Sequence, residues 1–554
     1  MTERRDTIAD LLLDRIGDQR PGLRSRERTW TWDEVVADSA VRAGRLRRLR
    51  AEDRPFHVGI LLDNVPEFVL WLGAAALSGA AVVGINPTRR GAALEEEVRR
   101  TDLQLVVTDA AGWEILGGLD IGVARDRVLL VDSAEYAAQL ATLPAEPIRD
   151  PSVTASTRML LLFTSGTTGA SKAAICSQGR LARLARQNTA KYRIGRDDVC
   201  YCCMPLFHGN ALMALWAPAL LAGACVALAP KFTASGFLRD VRHYGATYFT
   251  YVGKALGYVL GQPERPDDAD NPLTHGFGTE ASPEDRIEFK RRFGATLYEG
   301  YGSSESAGMV DRTPDGPPAA MGVPAHAGVR VVDPRTLETC PRAALDEHGR
   351  VRNAEEAIGE IVDTEGAAKF EGYYNDPEAN AERVRHGWYW TADLGYVDQA
   401  GYLYFAGRAG DWIRVDGENI SALLIERVLR RHPDVVAAAA FAVPDPRSGD
   451  QVMAAIEIPE RVRFDDLAMA DFLAGQEDLG TKGVPRYIRV SHQLPATGSN
   501  KLRKKEMRAD GWRTTDDVHW WADRGEPSYA PMTDEDKRRL REQFAANGRL
   551  RFLP

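Results

Sequence analysis

Residues Met159–Ile175 read MLLLFTSGTTGASKAAI: an apolar run, a loop of hydroxyls and glycines, a lysine, and then a stretch of helical character. The apolar run reads as a buried strand. In the loop, Gly166 and Gly169 let the backbone come close to a ligand, and Thr164, Ser165, Thr167 and Thr168 offer hydroxyl donors to phosphate oxygens. Lys172 adds a positive charge, which makes the segment a polyphosphate cradle. It is not the G-x-x-x-x-G-K-[ST] loop, because Gly166 and Gly169 enclose only Thr167 and Thr168.

The alternation of strand and helix extends to both sides. Phe68–Pro87 (FVLWLGAAALSGAAVVGINP) and Ala211–Pro230 (ALMALWAPALLAGACVALAP) each run for about 20 residues without a charge, long enough for a membrane span. Each breaks at a Gly-Ala pair (Gly79 and Ala80; Gly223 and Ala224), changes from Ala/Leu-rich to β-branched-rich, and ends in Pro. That is the pattern of a helix, a glycine cap and a buried strand, not of a span. Its repetition predicts two similarly built α/β subdomains with helix-covered sheets. Near Arg408 the character changes. SALLIERVLRRHP (Ser421–Pro433) reads as a helix, and VVAAAAFAV and QVMAAIEI read as strands separated by the turn PDPRSGD. The predicted organisation is a large α/β N-terminal domain over 1–407, a small α+β C-terminal domain over 408–510, and a tail over 511–554. The tail stretch TDEDKRRLREQFAANG reads as helical, either packed on the second domain or partly frayed.

The length of 554 residues exceeds any single small module, at about 150 residues per domain. With 70 Lys and Arg against 79 Asp and Glu, the net charge is −9, and no long basic run is present. Nucleic acid and anionic membranes are therefore poor principal partners. The N-terminus, MTERRDTIADLLLDRIGDQR, lacks the apolar core of an export signal, so a cytoplasmic location is expected. Six Cys make no disulfide framework. Cys200, Cys202 and Cys203 include a formal C-x-x-C, but without a second pair and within DVCYCCMPLFH they read as buried thiols.

Further motifs follow in order: PLFHGN (Pro205–Asn210), GYGSSE (Gly300–Glu305), WYWTADLG (Trp388–Gly395), GRAGDWIRVDGENIS (Gly407–Ser421) and LPATGSNK (Leu494–Lys501). Together with FTSGTTGASK they resemble the ANL superfamily of adenylate-forming enzymes across about residues 10–535. The finer resemblance is to AMP-forming acyl-CoA synthetases, in the branch of fatty-acid transport proteins and very-long-chain acyl-CoA synthetases. Departures from the family pattern are Ala170 and Ser171 for a residue-Pro pair, Ser304 for Thr, Ala392 for Gly, Asn500 for Gly, and Gly410 where relatives carry Asp or Lys.

The resemblance implies a two-step ligase. An acid reacts with ATP to give an acyl adenylate and pyrophosphate, and the acyl group then passes to CoA. It implies that Glu305 and Thr168 hold Mg²⁺, and that Thr164, Ser165, Gly166, Thr167, Thr168, Gly169 and Lys172 hold the phosphates of ATP. Tyr301, beside Gly302 and Ser304, would stack on adenine, with Gly276, Phe277, Gly278 and Thr279 along the base edge. Asp393 would accept from the ribose hydroxyls with Arg408 assisting, and Lys501 would bridge the acyl oxygen and the α-phosphate. His208 would lie near the acid, in a pocket with Tyr251, Gly253, Gly257 and Gly302. The C-terminal domain would swing about Gly410 to bring Arg414, Gly417 and Asn419 to CoA. The acid is a long fatty acid or a bulky polycyclic terpenoid or steroid-type acid.

Taken singly, several of these residues have plain structural readings: His208 as a core histidine, Tyr301 as a core aromatic, and Lys501 as one charge on a basic face with Arg503, Lys504 and Lys505. Three other functions fit parts of the pattern. They are a ligase that loads a carrier protein, a weakened homologue that binds acyl-AMP or acyl-CoA, and a lipid-transport component. A homodimer is compatible with each reading.

Overall fold

The computed structural model describes residues 6–165, 171–303, 305, 309–311, 316–347, 349, 351–408, 412–415, 418–447, 449–476, 479, 483–497, 502–521 and 528–553. The chain forms two compact units, Met1–Gly308 with Ala367–Arg385, and Met309–Gly366 with His386–Pro554.

The first unit holds two sheets. Its strands are β1 (Pro21–Arg24), β2 (Thr29–Thr31), β3 (His57–Leu61), β4 (Ala81–Gly84), β5 (Leu105–Thr108), β6 (Val128–Leu130), β7 (Arg158–Ser165), β8 (Ser171–Ser177), β9 (Val199–Cys202), β10 (Cys225–Leu228), β11 (Tyr248–Val252), β12 (His275–Thr279) and β13 (Thr296–Glu299). One sheet has the order β6-β5-β3-β4-β7-β8, and the other β13-β12-β11-β9-β10-β1-β2. Pairing is parallel except at the edges, where β7 meets β8 and β1 meets β2 in antiparallel fashion. Parallel strands need helical crossovers, which cover both faces and explain the near-continuous apolar strands.

The two helix–glycine–strand units fall where the sequence put them. Helix Pro66–Ser78 ends at Gly79, whose φ of 77° is the left-handed conformation that closes a helix, and leads into β4. Helix Ala217–Ala222 ends at Gly223 with φ 72° and leads into β10. The second unit is preceded by a single π-turn, Leu212–Trp216, which the sequence did not announce. Among the described residues no helix is long and apolar enough to cross a membrane. Cys176, Cys200, Cys202, Cys203 and Cys225 are buried free thiols, and no metal-binding group of His, Cys, Asp and Glu occurs among the described residues.

One expectation is corrected. The residues after Lys172 are not helical: Ser171–Ser177 is β8, antiparallel to β7 with Ser165 opposite Ser171 and Thr164 opposite Lys172. Ala173 and Ala174 favour a helix locally, but burial in the ladder overrides that preference. The helix starts at Gln178, where the Ser177 side chain accepts from the Arg180 amide.

In the second unit, Val329–Val332, Gly359–Asp363, Trp388–Val397 and Leu403–Arg408 form successive antiparallel neighbours. Helix Ala422–Arg430 and the paired strands Ala437–Pro444 and Asp450–Glu457 match the α+β reading. Helix Asp534–Ala546 buries Leu540 and Phe544 in a cluster with Phe441, Met453 and Trp520. Ala392 has φ 60°, a left-handed conformation that costs an L-residue roughly 1–2 kcal/mol. It is held there by its amide, which donates to Glu360 Oε1 at 2.9 Å. Ala392→Gly removes that cost at the expense of some unfolded-state entropy, so thermal unfolding should show a gain of about 0.5–1 kcal/mol. A lowered melting temperature would contradict the strain.

Candidate active site

In an open parallel sheet, ligands bind beyond the carboxyl ends of the strands, at the point where the chain reverses its direction of travel across the sheet. In the seven-stranded sheet that point lies between β9 and β11, because β10 is on one side of β9 and β11 on the other. His208 follows β9, Gly253 follows β11, Thr279 ends β12, and Tyr301 and Glu305 follow β13. The residues expected around acid and adenine are thus gathered at one end of the sheet by topology alone. His208 and Tyr301 are half-buried, and Gly302 is exposed in the loop after β13.

Two glycine stretches have steric reasons. A Cβ on Gly278 would lie 2.4 Å from the Tyr251 ring, so the smooth backbone of β12 exists partly to seat aromatics from β11. The hydroxyl of Tyr251 donates to Glu299 Oε1 at 2.8 Å, which fixes this buried ring. A Cβ on Gly253 would lie 2.0 Å from the carbonyl oxygen of Glu280. The bare backbone at Gly253 therefore serves a chain-to-chain approach, and Gly257 lies within the helix Gly253–Leu260.

The phosphate hairpin brings three expected residues together. Glu305 is only 4% exposed and accepts hydrogen bonds from Thr164 Oγ1 at 3.2 Å and from the Tyr373 hydroxyl at 2.7 Å. Burial pushes its carboxyl up, but the hydroxyls of Tyr373 and Ser303 and the charge of Arg383 more than offset this, and the group sits below the usual range. Lys172 is buried beneath the Tyr373 ring, its Nζ 5.6 Å from the ring centre and 3.1 Å from Glu382 Oε2. An ionised carboxylate beside hydroxyl oxygens is a donor set that suits Mg²⁺, and a buried ammonium suits phosphate.

Tyr373, Glu382 and Arg383 were not foreseen. The segment Gly372–Tyr374 adds to the free edge of β8, with the Ile175 amide donating to the Gly372 carbonyl at 2.9 Å and the Tyr374 amide to the Ala173 carbonyl at 2.9 Å. This places Tyr373 against Glu305, and Arg383 Nε donates to the Tyr373 hydroxyl at 3.0 Å. Tyr373 is 68 positions from Glu305, so no local spacing signals the pair.

In the second unit, Asp393 and Arg408 are ladder partners, an arrangement that puts the two expected ribose contacts side by side. The Asp393 amide donates to Thr391 Oγ1 at 3.0 Å, and that hydroxyl donates to the Ile361 carbonyl at 2.7 Å, fixing the turn around Ala392. Arg414 and Asn419 are paired on the hairpin Trp412–Val415 and Glu418–Ser421. Gly166, Thr167, Thr168, Gly169, Ser304, Gly410, Gly417 and Lys501 lie outside the described residues.

The chain belongs to the AMP-binding enzyme family, the adenylate-forming enzymes to which the motifs pointed. The family's model matches residues 15–374, and that of the AMP-binding enzyme C-terminal domain matches residues 424–501. The chain is 62% identical over 550 residues, 99% of each chain, to steroid-22-oyl-CoA synthetase of Rhodococcus jostii (strain RHA1). It is 43% identical over 518 residues, 94% of this chain and 99% of the relative, to a medium/long-chain-fatty-acid–CoA ligase, FadD17, of Mycobacterium tuberculosis. In fold it is similar to the anthranilate CoA ligase AuaEII in complex with anthranoyl-AMP, with a TM-score of 0.78 at 19% identity over 91% of this chain and 96% of that one.

Tyr373→Phe tests the carboxylate site. Without the hydroxyl the Glu305 pKa rises, so its ionised form is lost at a higher pH as the solution is acidified. The acid limb of the pH–rate profile for adenylate formation should move upward, with kcat/KM falling on the acid side and changing little at neutral pH. An unmoved acid limb would show that the hydroxyl does not hold this charge.

Proposed function

We propose that this protein is an AMP-forming acyl-CoA synthetase whose acid is a bulky polycyclic, steroid-type carboxylic acid. The observation that carries the choice of acid is the 62% identity, over 99% of both chains, to a steroid-22-oyl-CoA synthetase. Synthesis of an acyl-CoA from a hydrophobic acid is supported equally by the fatty-acid ligase relatives.

A carboxylate resists attack because its charge is delocalised and its leaving group would be oxide. Attack of one carboxylate oxygen on the α-phosphorus of ATP expels pyrophosphate and leaves AMP as a good leaving group. Two anions must approach, so the site needs cations where charge develops. Lys172 is assigned to the phosphates and Lys501 to the acyl oxygen and α-phosphate. Glu305 and Thr168 are the residues assigned to Mg²⁺, which neutralises phosphate charge when bound. Asp393 suits the ribose diol, and Tyr301 the adenine face. His208 and the carboxyl ends of β9 and β11 are assigned to the acid.

Thiolate attack on the acyl carbon then forms the C–S bond and releases AMP. Turning the C-terminal domain about Gly410 would exchange Lys501 for the face bearing Arg414, Gly417 and Asn419. In this scheme residues 408–510 act as the moving part and 511–554 ride with them.

ATP-dependent pyrophosphate release across linear and polycyclic acids, with and without CoA, checks the reading. A steroid-type acid should exceed a long linear acid in kcat/KM by at least about tenfold, and the acyl-CoA should accumulate only with CoA. Acyl adenylate as the sole product with CoA present would instead favour a carrier-protein acceptor. Lys501→Ala should lower adenylation by about a hundredfold or more while sparing thioester formation from supplied acyl adenylate. Normal pyrophosphate exchange in that variant would remove Lys501 from the first step.

A further inference from the structure

Arg89 belongs to none of the motifs and precedes Ser171 by 82 positions, yet its Nη2 donates to Ser171 Oγ at 2.6 Å. Ser171 is the first residue of β8, where the chain leaves the phosphate loop, and it is followed directly by Lys172. The other side of the Arg89 guanidinium is fixed. Its Nε lies 3.4 Å from Oε2 of Glu97, on the helix Gly91–Arg99.

Glu97 is 6% exposed, and its Oε1 has no hydrogen-bond partner among the described residues. Burial pushes this carboxyl up, against the pull of the Ser171 hydroxyl and the Arg89 charge. A buried carboxylate with one oxygen unpaired is costly to fold around and adds nothing to packing that an apolar residue would not supply. What it does supply is a rigid anchor for one guanidinium. That guanidinium in turn spends its fork on the exit of the phosphate loop.

We infer that Arg89 and Glu97 are positioning residues for ATP: they pin Ser171, and through it the start of β8 and the direction of Lys172. They set the affinity for the polyphosphate and leave the chemical step largely untouched. The inference rests on the reading of that loop as the phosphate site.

Acid-dependent ATP–pyrophosphate exchange is the test, on wild type, Arg89→Ala, Ser171→Ala, Glu97→Gln, and the doubles Arg89→Ala/Ser171→Ala and Arg89→Ala/Ser171→Pro. Arg89→Ala and Ser171→Ala should each raise the KM for ATP by about tenfold, the scale of one hydrogen bond to a charged group, with kcat and the KM for the acid changed by less than about twofold. The first double should be no worse than Ser171→Ala alone, because that variant already removes the contacts of Ser171 with both Arg89 and Glu97. The second should regain most of the ATP affinity, since Pro fixes φ by its ring and is tolerated at the first residue of a strand.

An unchanged KM for ATP, equal losses in kcat and acid KM, or no recovery with Pro would each overturn the inference. If Arg89→Ala does not fold, Ser171→Ala and Glu97→Gln carry the same comparison with little change of volume. Wild type without acid-dependent exchange would instead overturn the proposed function itself.

Discussion

A carboxylate withdrawn from water keeps its charge only where fixed donors replace the lost solvation. Glu305 meets that condition through the hydroxyls of Tyr373 and Thr164, and each of those is supplied by a different stretch of chain. Thr164 comes from β7, and Tyr373 from a segment that adds itself to the edge of β8. Much of the first unit's layout around the hairpin can be understood as the scaffolding for this one charge. The strand β8 turns back antiparallel, which leaves an edge. Gly372–Tyr374 covers that edge, and the helix Pro377–Arg383 follows, carrying Glu382 to Lys172 and Arg383 to Tyr373.

The seven-stranded sheet adds a second organising constraint. Because β9 sends its successors to opposite sides, the topology sets a switch point at the carboxyl ends of β9 and β11, the place where open α/β sheets bind their ligands. Aromatics from β11 close over glycines in β12 and stiffen that end of the sheet.

How far the sequence could be read depended on the range of the interactions involved. The helix–glycine–strand units were legible because Gly79 and Gly223 are punctuation with a local cause, the left-handed cap. Thr164, Lys172 and Glu305 were singled out together by the motifs, and the structure does bring them together. The strand after Lys172 was misread because Ala173 and Ala174 have helical propensity, whereas their fate was settled by pairing with Phe163 and Leu162 in β7. Tyr373, Arg383, Arg89 and Glu97 act across long separations in sequence and carry no motif of their own, so only coordinates reveal them. Ala392 shows the converse. Its departure from the family pattern was visible in the sequence, and its cost becomes visible in the backbone, where it holds a left-handed φ of 60°.

Glu382 is 61% exposed, yet it sits on the buried Lys172 ammonium at 3.1 Å. Under the proposed assignment of Lys172 to the phosphates of ATP, an arriving phosphate would exchange one anion for another and not neutralise a bare cation. Few small ions are released in such an exchange, so this part of the grip on the nucleotide is only weakly sensitive to ionic strength.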